Sequence, residues 1–122
     1  MENPKQLDLE YYTDVIGINH FDRCLEKLSE SLALKVVFEV GKLQVGLGKT
    51  RSLGEGLQEL KIRIGALTLR AYFTYHEGKL IVVLAGSDKG DQSRTISKAR
   101  VLLKEMREVK RKEKIDGKHD PR

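Results

Sequence analysis

Apolar and polar residues recur along the chain with two periods, one close to two residues and one close to four. Leu7, Leu9 and Tyr11 alternate with Asp8, Glu10 and Tyr12, as in a half-buried strand. From Asn19, a residue type suited to capping a helix, Phe21, Leu25 and Leu28 with Cys24 fall on one helical stripe. Residues 29–31 break that stripe. Leu32, Val36, Val40 and Leu43 then begin a second one that ends before Gly46 and Gly48, so the spacing predicts two short helices joined as an αα-hairpin. Residues 46–56 contain four glycines around Lys49 and Arg51 and are predicted to be a loop.

Three strands follow. Leu60, Ile62 and Ile64 alternate with Glu59, Lys61 and Arg63. After Gly65-Ala66, Leu67, Leu69, Ala71, Phe73 and Tyr75 alternate with Thr68, Arg70, Tyr72 and Thr74. His76 to Lys79 forms a hairpin loop, and the continuous apolar run 80–85 predicts an interior strand covered on both faces. Past the polar junction 86–91, Ile96, Ala99, Leu103 and Met106 mark a last amphipathic helix. The pattern dissolves at Lys110 into the charged run Lys110-Arg111-Lys112-Glu113-Lys114. The predicted order is β-α-α-β-β-β-α: an α+β fold whose antiparallel sheet packs on an N-terminal helical hairpin, with a C-terminal helix. Residues 1–110 form one domain and 111–122 a charged, flexible tail. With the helices on one face of the sheet, Lys61, Arg63, Arg70 and Tyr72 project from the other, partly open face.

Composition narrows the partners. The chain has 122 residues and a net charge of +5. Residues 1–46 hold five basic and eight acidic side chains, net −3, and the remainder is +8. The positive excess therefore lies where the strands and the last helix are, a footprint suited to a polyanion such as nucleic acid. No apolar run is long enough for a membrane span. The first residues lack the apolar core of a secretory signal. With a single cysteine, Cys24, and three unclustered histidines, the expected setting is a reduced cytoplasm, without cofactor or metal.

Lysine and arginine on one sheet face bind phosphate and stabilise the added negative charge of a phosphoryl transition state. RNA supplies its own nucleophile, the 2′-hydroxyl, so its cleavage requires proton transfer and cations and no metal ion. Lys89, between glycines at a helix start, either joins a phosphate-binding nest or points to solvent while Asp88 or Asp91 caps the helix.

Three segments carry a family resemblance: Leu53-Gly54-Glu55-Gly56-Leu57-Gln58-Glu59-Leu60-Lys61-Ile62, Leu69-Arg70-Ala71-Tyr72-Phe73, and Leu84-Ala85-Gly86-Ser87-Asp88-Lys89-Gly90-Asp91-Gln92. They resemble the RelE/HigB-type toxins of type II toxin–antitoxin systems, in the branch called addiction-module killer proteins. The resemblance implies a RelE-like fold and a metal-independent endoribonuclease that cuts mRNA, commonly on the ribosome. It also implies neutralisation by a cognate antitoxin, often a helix-turn-helix protein. Carried over by position, it makes Lys61, Arg70, Tyr72 and Lys89 the catalytic set, with Lys49, Arg51 and Arg63 binding RNA. The chain departs from the family in having Lys61 where arginine is usual and Ser87 where a second junction glycine is usual. Lysine lacks the bidentate fork of arginine. Two other readings stand beside this one. A non-catalytic RNA-binding module would rely on Lys98, Arg100 and Lys104 of the last helix, and a decayed phage-derived toxin would only bind its antitoxin.

Overall fold

Two side-chain caps set the helices. Asn19 accepts a hydrogen bond from the Asp22 N–H at 3.0 Å and opens α1 (His20–Glu26). Ser29 accepts one from the Leu32 N–H at 3.2 Å and opens α2 (Glu30–Gly41). The computed structural model describes residues 6–87 and 92–118. After α2 the chain tightens into a 3₁₀ turn at Lys42–Val45, which Gly46 ends in the left-handed region. Five strands form one sheet: β1 (Asp8–Tyr11), β2 (Lys49–Gly54), β3 (Leu57–Ile64), β4 (Leu67–His76) and β5 (Lys79–Ser87). A long helix, α3 (Gln92–Lys118), follows and continues through the charged run that starts at Lys110.

The strand order is β1-β5-β4-β3-β2. Strands β2 to β5 form an antiparallel meander, while β1 runs parallel to β5, with Leu9 opposite Leu80. The sheet is therefore mixed, and the expected wholly antiparallel sheet is corrected. The expected loop at 46–56 is corrected too. Residues 49–54 of it are the edge strand β2, and the true turn is Gly54-Glu55-Gly56, with all three residues at positive φ. The glycines that suggested a loop lie at the two ends of β2, which pairs from Lys49 onward. Nor do α1 and α2 form the helical hairpin on which the sheet was expected to rest. Each packs separately on the sheet, α1 on β5 and α2 on β3.

The sheet has a core on each side. Phe21, Val36 and Val40 from the first two helices pack on Leu60, Ile62, Phe73 and Val82. On the other face, Ala99, Leu102, Leu103 and Met106 of α3 pack on Leu57, Tyr72, Ile81 and Val83. A bulge in β5 assists this second core. Leu84 is opposite Tyr72 and Val82 is opposite Phe73, so Val83 is the extra residue. As a result Val83 and Leu84 both join the α3 side, which accounts for the unbroken apolar run in β5. The face expected to stay open is thus largely closed by α3. Burial of its apolar stripe requires a partner surface, and the first face is already filled by α1 and α2.

Polar contacts fix α3 along its length. Arg100 Nη2 donates to Leu53 O at 2.5 Å and Arg107 Nη2 to Glu55 O at 2.7 Å, which ties the helix to the β2–β3 turn. Tyr12 donates to Glu105 Oε1 at 2.6 Å, and Lys110 pairs with Glu10 at 3.0 Å. No described helix is long and apolar enough to cross a membrane.

Candidate nucleic-acid cleft

Where α3 leaves the sheet uncovered, strand register assembles a cleft of about 460 Å³ from Lys49, Thr50, Arg51, Glu59, Lys61, Arg70 and Gln92. Two cross-strand rows build it. In the outer row, Lys49 of β2 is opposite Lys61 of β3, and Lys61 is opposite Arg70 of β4. In the inner row, Arg51 is opposite Glu59, and Glu59 is opposite Tyr72. Residues directly opposite one another have Cβ atoms about 5 Å apart, and like charges so placed repel. Three cations in one row therefore raise the energy of the empty protein and favour an anion between them.

Glu59 is the counter-charge. It is 4% exposed, at the bottom of the cleft. Arg51 Nη2 lies 3.2 Å from its Oε1, and Gln92 Nε2 donates to its Oε2 at 3.2 Å. Arg70 Nε is 3.5 Å from Oε1, an ion pair without the alignment of a hydrogen bond. The Tyr72 phenol lies within the field of the Glu59 carboxylate. Burial first, and then the Glu59 charge, push this phenol up to about 12, with Arg70 and Arg51 pulling the other way. One carboxylate thus pairs with both Arg51 and Arg70 and accepts from Gln92, while Lys49 and Lys61 make no ion pair among the described residues.

The structure brings four of the sequence-predicted residues to the cleft: Lys49, Arg51, Lys61 and Arg70. Tyr72 lies beneath it, 1% exposed in the α3 core, and meets the cleft through Glu59. Arg63, opposite Thr68, is exposed and outside the lining. Lys89 lies outside the described residues, as do Asp88 and Asp91. Glu59 and Gln92 are site residues that sequence reasoning did not assign. The signal for Glu59 was present, as the one acid alternating with Lys61 and Arg63 on a cationic strand face.

Other chemistry is less well supplied. Burial pushes the Cys24 thiol up despite nearby Lys27, so it is not an activated thiolate. Among the described residues no three His, Cys, Asp or Glu side chains come together as metal ligands. His20 is held by Asp14, with Nε2 at 2.7 Å from Oδ2.

The chain is 34% identical over 88 residues to an uncharacterised protein of Haemophilus influenzae, a match covering 70% of this chain and 88% of the relative. No solved structure gives a significant match. Residues 23–108, which include every described side chain of the cleft, match the family described as phage-derived protein, Gp49-like (DUF891). The match extends over most of the chain, and on it the protein belongs to the Gp49-like family of phage-derived proteins.

Proposed function

We propose that the protein is the toxin of a toxin–antitoxin pair and acts, like the RelE/HigB-type toxins, as a metal-independent endoribonuclease on translated mRNA. The reading concerns the activity, since the architecture differs from the one the resemblance implied. The observation that carries it is the row Lys49, Lys61 and Arg70 across three strands, facing an open cleft above a buried carboxylate. Such a row matches a phosphodiester that gains negative charge as it is attacked.

In the reaction, the 2′-oxygen loses its proton and bonds to the adjacent phosphorus. The bond from phosphorus to the 5′-oxygen breaks, and that oxygen takes up a proton. The products are a 2′,3′-cyclic phosphate and a 5′-hydroxyl end. Arg70, aimed by Glu59, and Lys49 with Arg51 bear on the non-bridging oxygens. Proton transfer rests with Lys61 and Lys89. Lys61 reaches the open cleft directly, and Tyr72 acts through Glu59 as a positioning residue. A helix-turn-helix antitoxin and the ribosome with its mRNA are the expected partners.

Inducible expression with primer extension on a translated message tests this. The wild-type chain is expected to arrest growth and leave 5′-hydroxyl ends, and Lys61→Gln/Arg70→Gln to do neither while keeping the circular dichroism of a folded protein. Continued growth and intact message with abundant wild-type protein would refute the reading. Growth arrest and RNA binding without new 5′ ends would leave an RNA-binding module in its place.

A further inference from the structure

A second, wider cleft of about 930 Å³ lies between α1, the end of β5 and the first turns of α3. We propose that it is a binding groove for the phosphates of the RNA strand that flank the phosphate held at Arg70; this rests on the RNA-cleaving reading above.

Its charge points to a polyanion. Arg23 and Lys27, four residues apart along α1 and its cap, line it together with Arg94 and Lys98, four apart on α3, and Glu26 is the one acid among the described lining residues. The side chains of Arg23, Lys27 and Lys98 are exposed and make no ion pair or hydrogen bond among the described residues. Arg23 and Lys27 also lie at the C-terminal end of α1, where cations complement the helix dipole. That accounts for their placement on α1, but not for Lys98 on a different helix across the groove.

The floor and its position point to a nucleic-acid strand. Ala85, Gly86 and Ser87 carry no bulky side chain, and β1 pairs β5 at residues 79–82, so among the described residues no strand covers the outer edge at 85–87. Gly86 is the residue opposite Arg70. The row Lys49–Lys61–Arg70 therefore ends on the floor of the second groove, a track of three strand spacings, or about 14 Å. On α3, Gln92 lines the first cleft, whereas Arg94, Thr95 and Lys98 line the second. An acidic protein segment would match the charge alone. Continuity with the Arg70 row favours RNA.

The test is fluorescence anisotropy with the full chain. The probes are a trinucleotide and an oligomer of about twelve nucleotides, both fully 2′-O-methylated to prevent cleavage, titrated across about 50 to 400 mM salt. Arg23→Gln/Lys27→Gln/Lys98→Gln is expected to bind the longer oligomer at least about tenfold more weakly. Its salt slope should be lower by about two, since each lost phosphate contact on a single strand removes about 0.7. The trinucleotide, short enough to sit at Arg70, is expected to bind as to wild type, and Glu26→Gln to tighten the longer oligomer. Wild-type affinity and slope in the triple variant, alongside lost binding in Lys61→Gln/Arg70→Gln, would overturn the groove and leave the active-site reading intact. Equal weakening of the trinucleotide would overturn it as a separate site. Loss of poly-glutamate binding with RNA binding intact would reassign the groove to an acidic protein partner. No RNA binding by wild type would overturn both readings.

Discussion

Replacing Glu59 with glutamine tests the electrostatic logic of the cleft directly, because it keeps the shape and removes the charge. The carboxylate meets Arg51 at 3.2 Å and Arg70 at 3.5 Å, with side-chain exposures of 60% and 17%. The exposed Arg51 pair is screened by water and contributes little. For Arg70, a separation of 3.5 Å corresponds to roughly 5 kcal/mol of attraction at an effective dielectric of about 20. Desolvation of both groups offsets most of that. What remains is the difference between charged and neutral contacts at a buried site, about 1–3 kcal/mol. The new amide must also turn one N–H₂ toward Gln92, whose own amide donates to that oxygen at 3.2 Å. Urea unfolding is expected to show a loss of about 1–3 kcal/mol at low salt, or a fall in Tm of roughly 5–12 °C. The repulsion among Lys49, Arg51, Lys61 and Arg70 is then no longer offset by the Glu59 charge, so the loss should shrink in about 1 M salt, where the screening length is near 3 Å. A change within about 0.5 kcal/mol of zero, or a loss indifferent to salt, would refute Glu59 as the counter-charge.

Three further outcomes follow from other parts of the molecule. Gly48 sits at φ +122°, and a Cβ there would lie 2.9 Å from Leu60 Cδ1 and 3.2 Å from Leu43 Cδ2. Gly48→Ala is expected to cost roughly 2–4 kcal/mol in urea unfolding, from strain and overpacking. The Ile18 N–H, then the His20 ring and the Ile16 N–H, hold the Asp14 carboxyl below its usual value despite partial burial. Its contribution is present above about pH 4 and lost as pH falls through the lowered value, so an acid titration of stability should be shallower for Asp14→Asn. Tyr72 ionises at about 12 in the folded chain against 10.0 ordinarily, so the unfolded state releases its proton first and stability falls as pH rises from about 10. Tyr72→Phe should flatten part of that alkaline loss, measured by chemical denaturation, and an unchanged slope would count against the buried phenol.

Much of the site was legible before the structure because it depends on parity within a strand. Period-two alternation puts Glu59 with Lys61 and Arg70 with Tyr72 on the same side of their strands, while Lys49 and Arg51 were read as loop residues and share a side only because β2 forms. Hairpin turns then fix which of them meet. The β4–β5 turn at Glu77-Gly78, both at positive φ, sets one such register. What parity does not state is depth. Tyr72 and Arg70 share a face, yet one is covered by Ala99, Leu103 and their neighbours while the other lines the cleft. Glu59 looked like one surface acid among cations. Its role depends on Gln92, thirty-three residues further along, reaching the same oxygen as Arg51.

By itself, the sequence determined the local features: the Asn19 cap, the alternation in β3 and β4, the covered run in β5 and the cationic second part of the chain. These depend on neighbouring residues and on 3.6- and 2-residue periods that no distant contact is needed to establish. The tertiary structure alone decided that β1 lies parallel to β5, that β2 is an edge strand, that α1 and α2 pack separately, and that α3 closes the second face. An amphipathic stripe specifies that a face must be buried and leaves open the surface that buries it. Here that choice was made by the whole set of elements filling both sides of one sheet, and the uncovered corner is where the cations meet.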